Sequence, residues 1–290
     1  MRLAVITLVA GRHRHLSFQQ NGLAAGTHRP DHYVVVGIDD PSAAEVVRAG
    51  VPEADVINVE RAAGRLPLAA ARNAGARRAL EAGAAVLVFL DVDCVPGRTL
   101  VGRYAETAAS THDGALLCGT VSYLPPPPPG GYRLPELHGL APPHPGRPTP
   151  EEGVVLRNGD HRLFWSLSFA LTARTWQRIG GFCEDYTGYG GEDTDFAMSA
   201  AASGVDLWWV GGAPAYHQHH PVSRPPVEHL DDILRNGALY RRRWGTWPME
   251  GWLRDFARLG LVRHDSADDT WHRTGRARHE SPVDRASTDP

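Results

Sequence analysis

The chain opens on a short, predominantly apolar run, residues 3–9, that stops at Gly11. A run this short, with no polar alternation, predicts a strand buried on both faces. The pattern returns at 33–38, closed by Asp39, Asp40 and Pro41, and at 84–90, which empties straight into Asp91-Val92-Asp93. A further strand is predicted over 55–59. Between these lie segments of mixed polarity at 16–25, 42–49 and 67–82, the last rich in Ala, Arg and Leu and stopped by Gly83, and each predicts a helix. Strands alternating with helices at this spacing predict an α/β fold with a mostly parallel central sheet covered by helices on both faces. Strands are predicted again over 163–171 and 205–210, and helices over 193–203, stopped by Gly204, and over 229–244.

The rest of the chain lacks these periods. Segments 125–129 and 135–150 are dense in proline, which cannot donate to a ladder, and predict surface loops, with a lid or acceptor-side loop as the functional alternative. From about His264 onward the sequence is polar without periodicity and predicts a disordered tail. The expected organisation is therefore a nucleotide-binding half over 1–120, a Pro/Gly-rich loop region over 121–162, an acceptor and catalytic half with C-terminal helices over 163–263, and a tail over 264–290.

Parallel sheets bind ligands beyond the carboxyl ends of their strands, and both Asp39-Asp40 and Asp91-Asp93 fall at such ends. Two carboxylates one residue apart supply hard oxygen ligands for Mg²⁺ or Mn²⁺. By itself an acidic pair is usually a solvated turn. At the end of a buried strand it needs a partner, because an unpaired buried carboxylate is costly.

Two blocks carry a family resemblance. Ala71-Arg72-Asn73-Ala74-Gly75 followed by Val88-Phe89-Leu90-Asp91-Val92-Asp93 resembles the central signature of family 2 glycosyltransferases of the GT-A fold. Gly180-Gly181-Phe182 followed by Tyr189-Gly190-Gly191-Glu192-Asp193-Thr194-Asp195 resembles that family's acceptor-side acidic motif. It is also similar to the domain shared by β-1,4-galactosyltransferases and polypeptide N-acetylgalactosaminyltransferases. The blocks occur in the expected order, and the match extends over roughly residues 1–220. The resemblance implies a GT-A fold and a metal-dependent transfer of sugar from a nucleoside-diphosphate sugar, a UDP-sugar by preference, to a hydroxyl of unidentified acceptor. It further implies Asp39 as the acid contacting base or ribose, although the usual polar run after it is replaced by Pro41-Ser42-Ala43. Thr7, Arg72 and Asn73 fall with it on the donor side, and Asp91 and Asp93 on the metal, with Asp93 the direct ligand and Asp91 acting through ribose or water. Asp193 is implied as the catalytic base and Glu192 as its acceptor-binding neighbour. In the galactosyl- and N-acetylgalactosaminyltransferases a histidine after the Gly-Gly-Glu motif completes the metal site, and the ungapped position here is His217.

Physical chemistry runs beside this. An inverting displacement needs a carboxylate opposite the leaving group, and Gly190-Gly191 gives the backbone freedom to set acidic side chains at a helix start. The alternative for Asp193 is a helix cap. One imidazole with one carboxylate suits Mn²⁺, whereas the alternative for the His217-Gln218-His219-His220 cluster is a solvated turn before Pro221. His219 and His220 are expected as supporting or surface positions. Trp208 and Trp209 are expected to straddle a strand, and Arg241 to Arg243 either to help hold diphosphate or simply to be solvated.

Composition narrows the classes. The net charge of −3 over 290 residues argues against a nucleic-acid binder. All 30 basic residues are arginine, which fits a GC-rich bacterial coding bias rather than a function. Three cysteines (Cys94, Cys118, Cys183) suit a reducing compartment better than a disulfide scaffold. With no signal-like leader and no transmembrane stretch, a cytoplasmic protein is expected. Two other functions fit the same sheet and motif: a sugar-phosphate nucleotidyltransferase and a non-catalytic nucleotide-sugar-binding module. The first expects a glycine-rich basic loop after the first strand, where 9–14 holds one glycine.

Overall fold

The computed structural model describes residues 1–51, 53–111 and 114–275. It has two compact units, the first ending at Pro221 and the second beginning at Val222.

The first unit is built on β1 (Leu3–Val9), α1 (His13–Ala24), β2 (His32–Ile38), α2 (Ala43–Gly50), β3 (Asp55–Val59), α3 (Leu68–Glu81) and β4 (Val86–Leu90). It continues through β5 (Cys94–Pro96), α4 (Leu100–Ala109), β6 (Ala115–Tyr123), α5 (Leu137–Leu140), β7 (Val155–Leu156), β8 (Ser168–Thr172), α6 (Ala173–Ile179), α7 (Glu192–Ala202) and β9 (Asp206–His217). The strands form one sheet in the order β3-β2-β1-β4-β8-β6-β9-β5, with β7 added alongside β9. β3, β2, β1 and β4 are mutually parallel, as are β6 and β9. β8 runs against both its neighbours, and the short β5 and β7 run against β9.

β4 is buried along its whole length, and its side chains alternate between two cores. Val86, Val88 and Leu90 pack with Leu16 and Leu23 of α1, Val47 of α2 and Leu100 of α4. Leu87 and Phe89 pack with the alanines of α3, Trp176 of α6 and Phe196 of α7. Both faces are therefore covered by helices, which is why the strands read as continuous apolar runs. Close packing of α3 depends on Gly75, where a Cβ would come 2.5 Å from Ile6 Cγ2.

The second unit contains α8 (Leu230–Trp244), α9 (Glu250–Arg258), β10 (Val262–Asp265) and β11 (Thr270–Arg273) around Leu230, Ile233, Leu253, Phe256 and Val262. The expected tail from His264 is corrected here. β10 and β11 pair as an antiparallel hairpin, and His264 faces Trp271 across it. Residues 276–290 of that tail lie outside the described residues. The boundary at Pro221/Val222 also cuts the segment expected as one block over 163–263. The strand expected over 163–171 is confined to β8, and that over 205–210 extends through β9 to His217. That extension brings the histidine cluster to the sheet's edge. Among the described residues no helix is long and apolar enough to cross a membrane.

Candidate active site

The Asp91-Val92-Asp93 motif is a tight turn that reverses the chain from β4 into β5. The Asp91 N–H donates to the Leu167 carbonyl at 2.9 Å, and the Cys94 N–H closes the turn on the Asp91 carbonyl at 2.8 Å. β5 then pairs antiparallel with the end of β9, so that Cys94 faces His217. The Gln218 N–H continues the pairing to the Asp93 carbonyl at 2.7 Å. This pairing, between positions far apart in sequence, carries the histidine cluster to Asp93. From behind, the buried Gln19 amide donates to the carbonyls of Asp91 (2.7 Å) and Cys94 (3.0 Å) and pins the turn.

Asp93 is the centre of a cationic corner. Its Oδ2 lies 3.5 Å from His217 Nε2 and 3.5 Å from His220 Nε2, and Arg12 Nη1 also contacts it. One ligating atom from each of Asp93, His217 and His220 falls within a 4.8 Å cluster. The other Asp93 oxygen, Oδ1, is buried without a hydrogen-bond partner. Burial alone would raise the Asp93 pKa, but His220, His217 and Arg12 overcome it and hold the carboxyl down at about 2. Burial lowers the His217 pKa, against the pull of Asp93, and favours the neutral imidazole that can ligate. Tyr123 stacks on the His217 ring at 4.5 Å and fixes its plane.

The second corner is acidic, with Arg72 as its cation. Three glycines with positive φ (Gly188 at 75°, Gly190 at 86°, Gly191 at 90°) bend the chain into α7, a path closed to most side chains. Gly191 occupies the cap position and α7 has no side-chain cap, so Asp193 is not the capping residue. Its Oδ1 accepts only the next N–H and hydroxyl, those of Thr194, at 2.7 and 3.3 Å. Glu192 is buried, with Oε1 accepting from Arg72 at 3.1 Å and Oε2 buried without a hydrogen-bond partner. Burial, reinforced by Asp193, pushes the Glu192 pKa up to about 7, and burial raises Asp193 as well.

Arg72 joins the two corners. It is 3% exposed, and it donates from Nη1 to Glu192 and from Nη2 to Asp91 Oδ1 at 3.3 Å. Phe182 backs it, with the ring centroid 5.2 Å from Cζ. Arg72 lies on α3, Asp91 at the end of β4 and Glu192 at the start of α7, so one guanidinium locks the two motifs together.

Comparison with known proteins gives consistent results. A family model described as the N-terminal domain of galactosyltransferase matches residues 159–229, a span that contains Glu192, Asp193, His217 and His220. Validoxylamine A glucosyltransferase from Streptomyces hygroscopicus subsp. limoneus is 30% identical over 218 residues, 64% of this chain and 44% of that one. The enzyme of the same name from subsp. jinggangensis is 31% identical over 170 residues, 48% of this chain and 36% of that one. The chain thus spans less than half the length of these relatives. Among solved structures, S. aureus TarS in complex with UDP matches with a TM-score of 0.56 and 14% identity, covering 90% of this chain and 71% of that one. GalNAc-T7 with UDP, GalNAc and Mn²⁺ matches with a TM-score of 0.54 and 14% identity, covering 89% of this chain and 57% of that one. The chain has the fold of the GT-A glycosyltransferases.

Within the GT-A fold the expected site residues fall into three groups. Asp91, Asp93, Arg72, Glu192 and His217 converge through the contacts above, and Asp193 stands beside Glu192 close enough to raise its pKa. Two others are differently used. Thr7, expected to meet the donor, is fully buried and its hydroxyl donates to Gln19 Oε1 at 2.9 Å, so it supports the Asp91 turn instead. Asn73, expected beside the nucleotide, has its amide donating to the Phe182 carbonyl (2.9 Å) and Glu184 (2.8 Å), and its oxygen accepting the Phe182 N–H. It stitches the loop before α7 to α3. Asp39 stands apart from both corners at the end of β2, exposed and in left-handed backbone (φ 47°), with Arg61 Nε 3.5 Å away.

Three contributors escape sequence reasoning. His220, expected at most as a supporting residue, reaches Asp93 as closely as His217 does. Arg12 contacts the same oxygen from the loop after β1. Asp40, only 7% exposed, accepts the Gly11 N–H at 2.7 Å and His13 at 2.8 Å, and so shapes the loop that presents Arg12. The sole signal for the last two was their place at strand ends. Trp208 and Trp209 do straddle β9, and both are buried. Arg241 donates to Asp269 at 2.7 Å within the second unit.

Proposed function

We propose that the chain is a metal-dependent glycosyltransferase that moves a sugar from a nucleoside-diphosphate sugar, a UDP-sugar by preference, to an acceptor hydroxyl with inversion. The observation that carries this reading is the pairing of two unlike carboxylate corners, Asp93 beside Arg12 and two imidazoles, and the buried Glu192 with the partly exposed Asp193, joined through Arg72. TarS and GalNAc-T7 are both described bound to UDP, which supports the donor class.

The residues at Asp93 fit a divalent cation. A buried carboxylate oxygen lacks a partner, and two imidazoles face the same carboxylate. This mixed oxygen and nitrogen set suits Mn²⁺ better than Mg²⁺, which prefers oxygen alone. A cation held by Asp93, His217 and His220 would supply charge neutralisation at the departing diphosphate. Arg12, at the same carboxylate, carries a guanidinium whose shape suits diphosphate oxygens. Asp91, restrained by Arg72, orients the donor ribose or a water. Asp193 accepts the proton of the attacking hydroxyl, and its raised pKa matches a base that must hold that proton once taken. Glu192, fixed by Arg72, binds the acceptor beside it.

A panel of nucleotide sugars incubated with Mn²⁺, with Mg²⁺ and with chelator tests the donor and the metal. NMR of the product's anomeric centre tests the stereochemistry. Retained configuration would remove Asp193 as an in-line base while leaving the donor assignment intact.

A further inference from the structure

Arg147 lies in the Pro-rich segment after β6, and neither corner uses it. It is 7% exposed, yet both terminal nitrogens, Nη1 and Nη2, are buried without a hydrogen-bond partner. Its guanidinium stacks over the Trp165 ring at 4.3 Å and lies 5.7 Å from the Trp209 ring. Those rings offset part of the desolvation but leave the N–H groups unsatisfied. The titratable groups acting most strongly on it are Cys118, Tyr123, Tyr104 and Cys94. These are thiols and phenols, none of them a carboxylate. Burial lowers the pKa of Arg147 itself. An arginine buried without an anion is costly, and such groups persist where a ligand completes them.

The position of Arg147 indicates which ligand. The turn that carries it is tied to β6 by the His144 N–H donating to the Val121 carbonyl at 2.8 Å, and by the Arg147 N–H donating to His144. From Trp165 a file of rings runs to His144 (4.9 Å), on to Tyr123 (5.5 Å) and on to His217 (4.5 Å) at the cationic corner. Tyr123 is 39% exposed, and Trp165 and His144 are partly exposed. The file therefore forms an open aromatic wall with Arg147 behind it. The proposed diphosphate end already has Arg12. His144 and Trp165 belong to the segment between β6 and β8, away from Arg12, and Tyr123 closes β6.

We propose that Arg147 recognises a negatively charged group, a carboxylate or a phosphate, on the acceptor. The planar fork pairs two N–H groups with two oxyanion oxygens, and the aromatic wall holds the ring that bears the anion. The proposal rests on the glycosyltransferase reading for the word acceptor. The site itself rests on Arg147 and its rings.

Calorimetric titration of glucuronate, glucose 6-phosphate and glucose into the full chain tests it, with Arg147→Gln and Arg147→Met alongside and UDP with Mn²⁺ as a parallel titrant. Wild type should bind glucuronate or glucose 6-phosphate, and glucose far more weakly. Both variants should bind that anion about tenfold or more weakly. The anion that binds identifies carboxylate or phosphate as the group. Melting curves separate recognition from structure. Arg147→Met should melt no lower than wild type, because packing replaces an unpaired charge, and the anion should raise the melting temperature of wild type only. A variant that melts well below wild type, or anion binding that is absent or unchanged by both substitutions, overturns the proposal even if UDP binds. Loss of UDP binding with Arg147-dependent anion binding intact overturns the glycosyltransferase reading instead.

Discussion

Two acidic corners lie on either side of Arg72, and the same kind of side chain behaves oppositely in each. At Asp93 an arginine and two histidines hold the carboxyl at about 2, so it is an anion at any physiological pH. At Glu192 burial and a neighbouring aspartate push the carboxyl up to about 7. Paired titratable groups whose surroundings drive their pKa values apart mark a division of labour. A permanent anion suits a cation, and burial, which raises Asp193 as it does Glu192, suits a carboxylate that takes up a proton. Sequence spacing cannot distinguish the two, because the difference lies in which cations the fold brings to each.

The sharpest way to break this comparison is to remove the carboxylate proposed as the base. Asp193→Asn should lower transfer by about 10²–10⁴-fold while UDP and Mn²⁺ still bind, measured by product formation and calorimetry. Removing the cationic side should do the reverse. His217→Ala or His220→Ala should weaken Mn²⁺ affinity by at least the about 10–100-fold that loss of an outer-sphere partner costs, read from the Mn²⁺ dependence of turnover. Equal loss in both variants would establish His220 as a full ligand, and no loss in His220→Ala would leave the pair Asp93-His217.

Arg72→Met attacks the link between the corners. It leaves Glu192 buried without its cation and Asp91 without its clamp, a change of about 3–5 kcal/mol in stability by denaturant unfolding. The sign of the pH dependence follows from the raised acid. The folded state binds Glu192's proton more tightly than the unfolded chain, so this group's contribution to stability falls as pH rises from 4.5 towards about 7. Glu192→Gln should flatten that part of the stability profile, and an unchanged slope would assign it elsewhere. The smallest effect is expected at His219, exposed between His217 and His220. His219→Ala should shift stability by no more than about 0.5 kcal/mol and leave the Mn²⁺ dependence as it was.

Much of this was legible in the sequence because it is local. The runs over 3–9, 33–38 and 84–90 are buried strands, as continuous apolar runs in parallel sheets must be. Asp91 and Asp93 could be placed at a strand end, and Gly190-Gly191 before a helix, from neighbours alone. What stayed hidden depends on pairing across the chain. Nothing near Asp93 foretells that β5 joins the far end of β9, yet that ladder is what brings in His220. Resemblance places Thr7 and Asn73 on the donor side, whereas the partners that occupy them, Gln19 and the loop at Phe182, lie on other elements. The hairpin of β10 and β11 resembles a tail in sequence because its short strands are mostly polar, with Val262 in the core.

The most direct measurement is release of UDP from a panel of UDP-sugars as Mn²⁺ is titrated into chelator-treated wild type, Asp93→Asn and Asp193→Asn. The account predicts that wild type turns over at least one donor, stops when Mn²⁺ is removed and resumes when it is restored. Asp93→Asn should need far more Mn²⁺, and Asp193→Asn should bind UDP without turnover at any Mn²⁺ concentration. Turnover that is indifferent to chelator and to Asp93→Asn, or wild type that neither binds nor cleaves any donor, would contradict it.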